Sequence, residues 1–423
     1  MAIGLSVLSA SVQAGDWPQW RGADRDAKVA GFTAPKTWPK ELTQKWKITV
    51  GEGVSTPALV GDKLYVFSRQ EGNEVTRCLE AATGKEVWQD KYESLGATGP
   101  AQQFSGPRSS PAVGNGKVVT LGVRGMVSCL DAATGKKLWR KDDFAGAYPR
   151  FHPASSPMIV DGLCVVQVGG QGNGGCVAYD LTTGDQKWKW TEDGPGYASP
   201  VLMTVGGAKL VVAMTERKIV ALGAADGKLV WETPFTVQGM GYNAATPIVD
   251  GQTTIYTGSG RGVKAVKIEK TGDTFAAKEL WSNPDKSVQF NTPVLKDGFL
   301  YGLTQGNEFF CLNAKTGQAA WTAPVGPAPA GGGQGGMGGG GMGGGRGGRG
   351  GGRGGYGSIV DAGSVLLALT PASELIVFQP NDKAYTEQAR IKVAEGQTHA
   401  YPVLSGNRLF IKDKESLTLF AIE

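Results

Sequence analysis

An all-β fold, an eight-bladed β-propeller of four-stranded antiparallel blades, is predicted for this chain of 423 residues. Three observations predict it. A nine-residue turn ending in Trp recurs along the chain. A small or hydroxyl residue followed by Pro and an apolar run recurs in a second register. Long segments of helical period are missing, whereas short strand-like runs such as "KLYVFSR" and "KLVVAMTERKIVAL" are frequent.

The turn reads "EAATGKEVW" at Glu80–Trp88, "DAATGKKLW" at Asp131–Trp139 and "DLTTGDQKW" at Asp180–Trp188. It returns as "GAADGKLVW" at Gly223–Trp231 and "NAKTGQAAW" at Asn313–Trp321. An Asp or Asn at its start can bond its own turn backbone. Gly84, Gly135, Gly184, Gly227 and Gly317 supply the positive φ of a tight turn. Trp88, Trp139, Trp188, Trp231 and Trp321 then fall on an outer strand, as do Trp46 and Trp281, where a large ring can wedge between adjacent blades. Recurrence in blade after blade points to architecture, because a catalytic site is made once from non-identical residues.

The second signature marks eight blade starts. They begin at Ser55, Ser109, Ser155, Ala198, Ala245, Asn291, Gly357 (a weak copy without Pro) and Tyr401. The period of roughly 40–54 residues is in the range of propeller blades. The last unit reaches Glu423 with no room for a Trp strand, while "LTQKWKITV" with Trp46 stands unpaired before the first unit. Joining the two completes the eighth blade and removes an open sheet edge. The propeller therefore spans residues 42–423, with an N-terminal extension at 15–41 that contains "DWPQWRG".

Residues 1–14 form a short apolar run ending in Val12-Gln13-Ala14, which fits either an export signal cleaved after Ala14 or a frayed apolar terminus. The export reading places the protein in the periplasm or outside the cell. No run of 18 apolar residues is present, and no Cys precedes Cys78, so neither a spanning helix nor an N-terminal lipid-modified Cys is expected. The net charge is +5, and Arg346, Arg349 and Arg353 of one Gly tract account for three of those charges. The domain itself shows no basic nucleic-acid surface. Five cysteines do not make a disulfide framework, and Cys78, Cys129 and Cys311 recur at one strand position as small hydrophobes. Cys164 and Cys176 lie on successive strands without facing each other.

The repeated turn with its Trp resembles the tryptophan-docking motif of the quinoprotein (PQQ-like) eight-bladed propellers, over about residues 42–423. That family holds PQQ-dependent alcohol dehydrogenases and non-enzymatic members such as BamB, a scaffold of the outer-membrane β-barrel assembly machine. "DWPQWRG", Asp16–Gly22, resembles the start of exported bacterial PQQ-like repeat proteins. Fold alone does not choose between them. The dehydrogenases carry an adjacent Cys pair against the quinone and Ca²⁺ held by converging oxygens, and neither an adjacent Cys pair nor an acidic cluster is found here. The haem signature C-x-x-C-H is also missing, and two His leave little for a metal site or triad.

The expected function is a non-catalytic scaffold, monomeric and without cofactor, that binds a protein or a cell-envelope polymer. The alternative is a dehydrogenase with an atypical PQQ and Ca²⁺ site. Any binding site is expected where the residues before each Pro step ring one channel mouth: Phe104, Arg108, Arg150, His152, Tyr197, Tyr242, Asn243, Gln289, Asn291, His399 and Tyr401. Ordinary packing of long loops is the plainer account of the same residues. Arg69, Arg124, Arg217 and Arg261 are expected at the opposite mouth or rim. The Gly/Arg-rich stretch 326–357, between blades 6 and 7, is expected to be a disordered loop. Its Arg-Gly-Gly steps resemble RNA-binding segments, but a spacer or a contact with anionic surfaces suits an exported protein better.

Overall fold

A computed structural model describes residues 15–237, 242–326 and 356–423, so the signal-like run 1–14 and nearly all of the Gly/Arg-rich stretch lie outside the described residues. The strands form eight four-stranded antiparallel sheets. Blade 1 comprises Ala58–Val60, Lys63–Gln70, Asn73–Glu80 and Glu86–Glu93, paired in chain order. Blades 2 to 7 repeat that order over residues 112–141, 158–190, 201–234, 248–283, 294–324 and 358–392. In the eighth sheet Val403–Ser405, Arg408–Lys412 and Ser416–Ala421 are completed by Thr43–Thr49, which pairs antiparallel with Ser416–Ala421 from Thr49↔Ser416 to Thr43↔Ala421.

Burial explains the strand patterns. The two middle strands of blade 1, "KLYVFSRQ" and "NEVTRCLE", are buried almost throughout, because neighbouring blades cover both faces. The outer strand Glu86–Glu93 is buried only at Trp88, and Val87 on it is exposed. All five Cys are free and buried, and Cys78, Cys129 and Cys311 sit directly across from Trp88, Trp139 and Trp321. Cys164 pairs in register with Tyr179 and Cys176 with Gln167, so the two thiols do not face each other.

Each Trp covers the turn of the following blade. The indole of Trp139 donates to Leu181 O at 3.1 Å and roofs Gly184, where an added Cβ would come within 2.7 Å of the ring. Trp88 stands in the same way over Gly135, Trp188 over Gly227, Trp281 over Gly317 and Trp46 over Gly84. Positive φ is thus one reason for glycine there, and the indole roof is a second. Trp231 and Trp321 depart from the pattern. Trp231 meets blade 5, whose outer hairpin runs on to Thr271↔Thr274 in place of the short Gly turn, and it is only half-buried. Trp321 donates to Asn381 O at 2.7 Å beside Tyr385.

A series of hydroxyls near the axis joins blade 8 to blade 1 and runs on to blade 6, leaving out blade 7, whose start lacks the hydroxyl-Pro step. The amide N–H of Thr56 donates to Ser110 Oγ, that of Ser110 to Ser156 Oγ and that of Ser156 to Ser199 Oγ, each at 2.9 Å. Ser199 N–H continues to Thr246 Oγ1 at 3.1 Å and Thr246 N–H to Thr292 Oγ1 at 2.9 Å. Tyr401 N–H returns to Thr56 Oγ1 at 2.9 Å. The hydroxyl-Pro landmark of the sequence is this series: the hydroxyl accepts from the neighbouring blade, and Pro presents no N–H of its own to the lumen.

Trp139→Ala is expected to lower unfolding free energy by about 3–5 kcal/mol in denaturant titrations, since it deletes a buried ring and leaves the Gly184 turn unroofed. Gly184→Ala should cost about 1–3 kcal/mol, from positive φ together with overpacking. A loss below about 0.5 kcal/mol in either variant, the scale of a surface change, would mean that the interblade wedge carries no stability.

Candidate binding face and central channel

Every connection from the outer strand of one blade to the inner strand of the next crosses the same end of the ring. The turn between second and third strands lies there too, because two antiparallel passes return the chain to its starting level. This end is the loop face. The structure therefore corrects the placement of Arg69, Arg124, Arg217 and Arg261, which lie on the loop face and not at the opposite mouth. They act there as loop staples. The Arg124 guanidinium lies 5.0 Å over the Tyr148 ring and donates to Leu95 O and Gly96 O at 3.1 Å. Arg217 pairs with the buried Asp193 at 2.8 Å, Arg261 covers Phe235 at 4.0 Å, and Arg69 Nε donates to Ser94 O at 3.4 Å.

Seven of the interblade connections each contribute one ring to a continuous aromatic collar. Phe104 meets His399 edge-on at 4.8 Å, His399 meets Tyr356 at 5.0 Å, and Tyr356 meets Phe290 at 6.0 Å. Phe290 stacks on Tyr242 at 5.4 Å, and Tyr242, Tyr197 and Phe151 close a triangle of 5.2–6.0 Å. All seven rings are half-buried, so a face of the collar stays open to solvent. Sequence reasoning named the polar neighbours Arg150 and His152, and Gln289 and Asn291, but passed over Phe151 and Phe290 between them, and Tyr356. The signal was present: an aromatic residue lies just upstream of successive blade starts.

The predicted polar residues mostly support this collar. Gln289 Nε2 donates to Tyr242 Oη at 3.0 Å, and Tyr197 Oη accepts from Phe151 N–H at 3.1 Å. Buried Asn243 donates to Thr215 O, Glu216 O and Phe235 O, and Asn291 donates to Leu303 O at 3.3 Å. Arg108 Nη2 donates to Ala101 O at 2.9 Å and Phe104 O at 3.0 Å, and burial lowers its pKa to about 10. Exposed Arg150 lies 5.5 Å over Phe151. Tyr401 does not join the collar; it lies deeper, on the channel.

Neither His is placed as a base. His152 is buried at φ 63° with Tyr148 stacked on it at 4.5 Å. Its Nδ1 is 2.9 Å from Val123 O and its Nε2 accepts the Thr98 N–H at 3.0 Å, which the neutral Nδ1–H tautomer satisfies. Burial moves its pKa below the ordinary value. His399 is lowered to about 4, again by burial.

The channel is filled by the chain itself. Trp17 exchanges backbone bonds with Leu59 of blade 1, at 2.7 and 2.9 Å, and Pro18 O accepts from Val113 of blade 2 at 2.8 Å. Arg25 donates to Ser156 O and Pro157 O of blade 3 and to Pro200 O of blade 4 at 2.8 Å. Trp20 Nε1 donates to Thr246 Oγ1 of blade 5 at 3.2 Å, and Arg21 Nη2 to Pro293 O of blade 6 at 2.9 Å. Ala27 and Val29 bracket Asp361 of blade 7 through bonds of 2.8 Å, and Trp20 meets the Tyr401 ring of blade 8 edge-on at 4.8 Å. One short segment thus touches all eight inner strands.

Residues 71–323 match the family described as outer membrane protein assembly factor BamB. The chain belongs to this BamB family. The BamB protein of Burkholderia pseudomallei strain K96243 is 27% identical over 335 residues, which cover 67% of this chain and 83% of that protein. Quinohemoprotein alcohol dehydrogenase ADH IIB of Pseudomonas putida is 33% identical over 279 residues, 63% of this chain but only 34% of the enzyme. Among solved structures, BamB from Moraxella catarrhalis superposes with a TM-score of 0.61 at 14% identity, covering 90% of this chain and all of that one. Quinohemoprotein alcohol dehydrogenase from Comamonas testosteroni does so with 0.67 at 14% identity, covering 97% of this chain and 81% of that one. These likenesses show the fold. Among the described residues of this BamB-family chain, no helix is long and apolar enough to cross a membrane.

The residues present do not fit PQQ with Ca²⁺. A flat quinone needs a slot between inner strands, and Trp17, Trp20, Arg21 and Arg25 occupy that space. Among the described residues no group of three acidic, His or Cys side chains converges to hold a cation, and each Cys lies in a separate strand.

With both His depressed in the fold, the unfolded chain binds more protons between pH ~6.5 and ~4. Their contribution to stability is complete above pH ~6.5 and is lost as pH falls toward 4. Melting curves from pH 7.5 to 4 should show this loss, and His152→Gln with His399→Gln should reduce it relative to the parent. An unchanged slope in the double variant would refute the assignment.

Proposed function

We propose that the protein is a non-catalytic scaffold of the cell envelope that acts as a monomer and binds a protein partner through its loop face. The observation that carries this reading is the aromatic collar. Seven partly buried rings on a rigid ring of blades present a continuous aromatic surface at low entropic cost, with exposed Arg150 at the edge. Aromatic residues and Arg are the side chains enriched at protein interfaces. Leu95, 74% exposed on the same face beside Arg124, extends the surface. Family membership adds the partner class, components that assemble outer-membrane proteins. The export reading of residues 1–14 agrees with that compartment.

The test is binding of purified outer-membrane assembly proteins from the same organism, read by surface plasmon resonance. Phe290→Ala with Tyr242→Ala should weaken binding at least about tenfold, the scale of one interface hot spot. Leu229→Asp, at an exposed outer strand, should leave it unchanged. Absence of binding, or binding indifferent to the collar, would sink the proposal; retention on insoluble envelope polymer instead would move the partner class.

The likeness to a dehydrogenase at 33% identity keeps one competing reading worth a direct assay. Added PQQ and Ca²⁺ should neither raise the melting temperature nor support dye reduction with alcohols or sugars. A clear positive in either would favour the enzyme.

A further inference from the structure

The segment in the channel has the attributes of a bound peptide. It recognises all eight inner strands, yet it is joined to Thr43–Thr49 by a connector whose Gly31, Thr33, Lys36, Thr37, Lys40 and Glu41 are exposed. Its two guanidinium groups are buried, with 1% and 4% of Arg21 and Arg25 exposed; their bonds to the blades run to backbone carbonyls, while Gln19 Oε1 and Asp26 O of the segment itself accept from Arg25 Nε and Arg21 Nη2. Pro157, Pro200 and Pro293 each follow a hydroxyl residue and offer an inward carbonyl without an N–H, so blades 3, 4 and 6 present acceptors that suit a planar, multi-donor cation. Lysine, a compact point charge, could not reach carbonyls of blades 3 and 4 together as Arg25 does. The fit is also incomplete: Trp17 Nε1 and Arg21 Nε are buried without a hydrogen-bond partner. Unsatisfied donors oppose permanent burial, as they would be hydrated on release.

We propose that the central channel is a guanidinium-recognising peptide site and that residues 15–29 are its resident, exchangeable ligand. The ligand class is a short peptide pairing Trp with Arg, of the pattern Trp-Pro-x-Trp-Arg followed by a second Arg. Occupancy in cis keeps the lumen closed to any other ligand. A linked ligand has an effective concentration in the millimolar range, which makes the closed state dominant even at modest intrinsic affinity.

The experiment uses the full chain with a protease site placed in the exposed connector at residues 33–37. After folding and nicking, the freed N-terminal peptide should co-elute with the ring at micromolar concentration. It should then exchange with an added fluorescent peptide of residues 15–31, followed by anisotropy. The labelled peptide carrying Met at Arg25 should bind at least about tenfold more weakly, and the one carrying Lys there should not recover full affinity. Loss of the peptide on nicking, or equal affinity of all three peptides, would overturn the proposal. So would retention without any exchange over days, which would make the segment permanent core. Because the ring folds before it is cut, failure of a truncated chain to fold does not enter.

Discussion

The hydrogen bonds that pass from the backbone of one blade to the hydroxyl of the next set the inner circumference of the molecule. Each links a residue at the start of an inner strand to its counterpart one blade on, so register errors in one blade would propagate around the ring. A second, outer series runs parallel to it, with Trp46, Trp88, Trp139, Trp188 and Trp281 each resting on a neighbour's turn glycine. The inner series fixes the radius and the outer one fixes the spacing between sheets. Thr246 shows how the two functions of the inner ring meet, since its hydroxyl accepts both from Ser199 and from Trp20 of the segment in the lumen. Its two lone pairs hold the wall and the occupant at once.

Much of this was legible because it is periodic. Gly135 and Trp139, or Ser110 and Pro111, announce themselves by returning in most units, and a period of that length admits few folds. What sequence reasoning missed is what occurs once or what depends on direction. Nothing in "DWPQWRGADRDA" states that Arg25 will meet the carbonyls of Pro157 and Pro200, because those acceptors are backbone and leave no side-chain signature. The collar was half-seen for a similar reason: attention to polar groups selected His152 and Asn291, while the rings beside them carry the surface. Arg124 was assigned to the wrong end because strand direction, and not residue type, decides which mouth a turn serves.

The BamB family and the quinohemoprotein dehydrogenases share this ring of blades, so the ring by itself discriminates nothing. The difference lies along the axis. Here the lumen is lined by repeated acceptors and packed with a basic, aromatic stretch of the same chain, and chemistry that needs an open slot has no room. The residues that differ from blade to blade lie in the loops of one face. Within those loops the titratable groups are largely spent on neighbours: both nitrogens of His152 are engaged, and the carboxylate of Asp193 holds Arg217.

The pairing of Thr43–Thr49 with Ser416–Ala421 has a consequence in time. Contacts of such sequence separation form late, because the loop they close spans almost the whole chain. Blades 1 to 7 can each collapse as they emerge from synthesis, but Thr43–Thr49, the outer strand of the eighth, is made first and has no partner until Ser416–Ala421 arrives. Until then both ends of the ring present unpaired edges, which are templates for pairing with other copies. Once shut, the same pairing acts as a lock on the ring: opening the eighth blade at this seam parts strands that lie more than 360 positions apart in the chain.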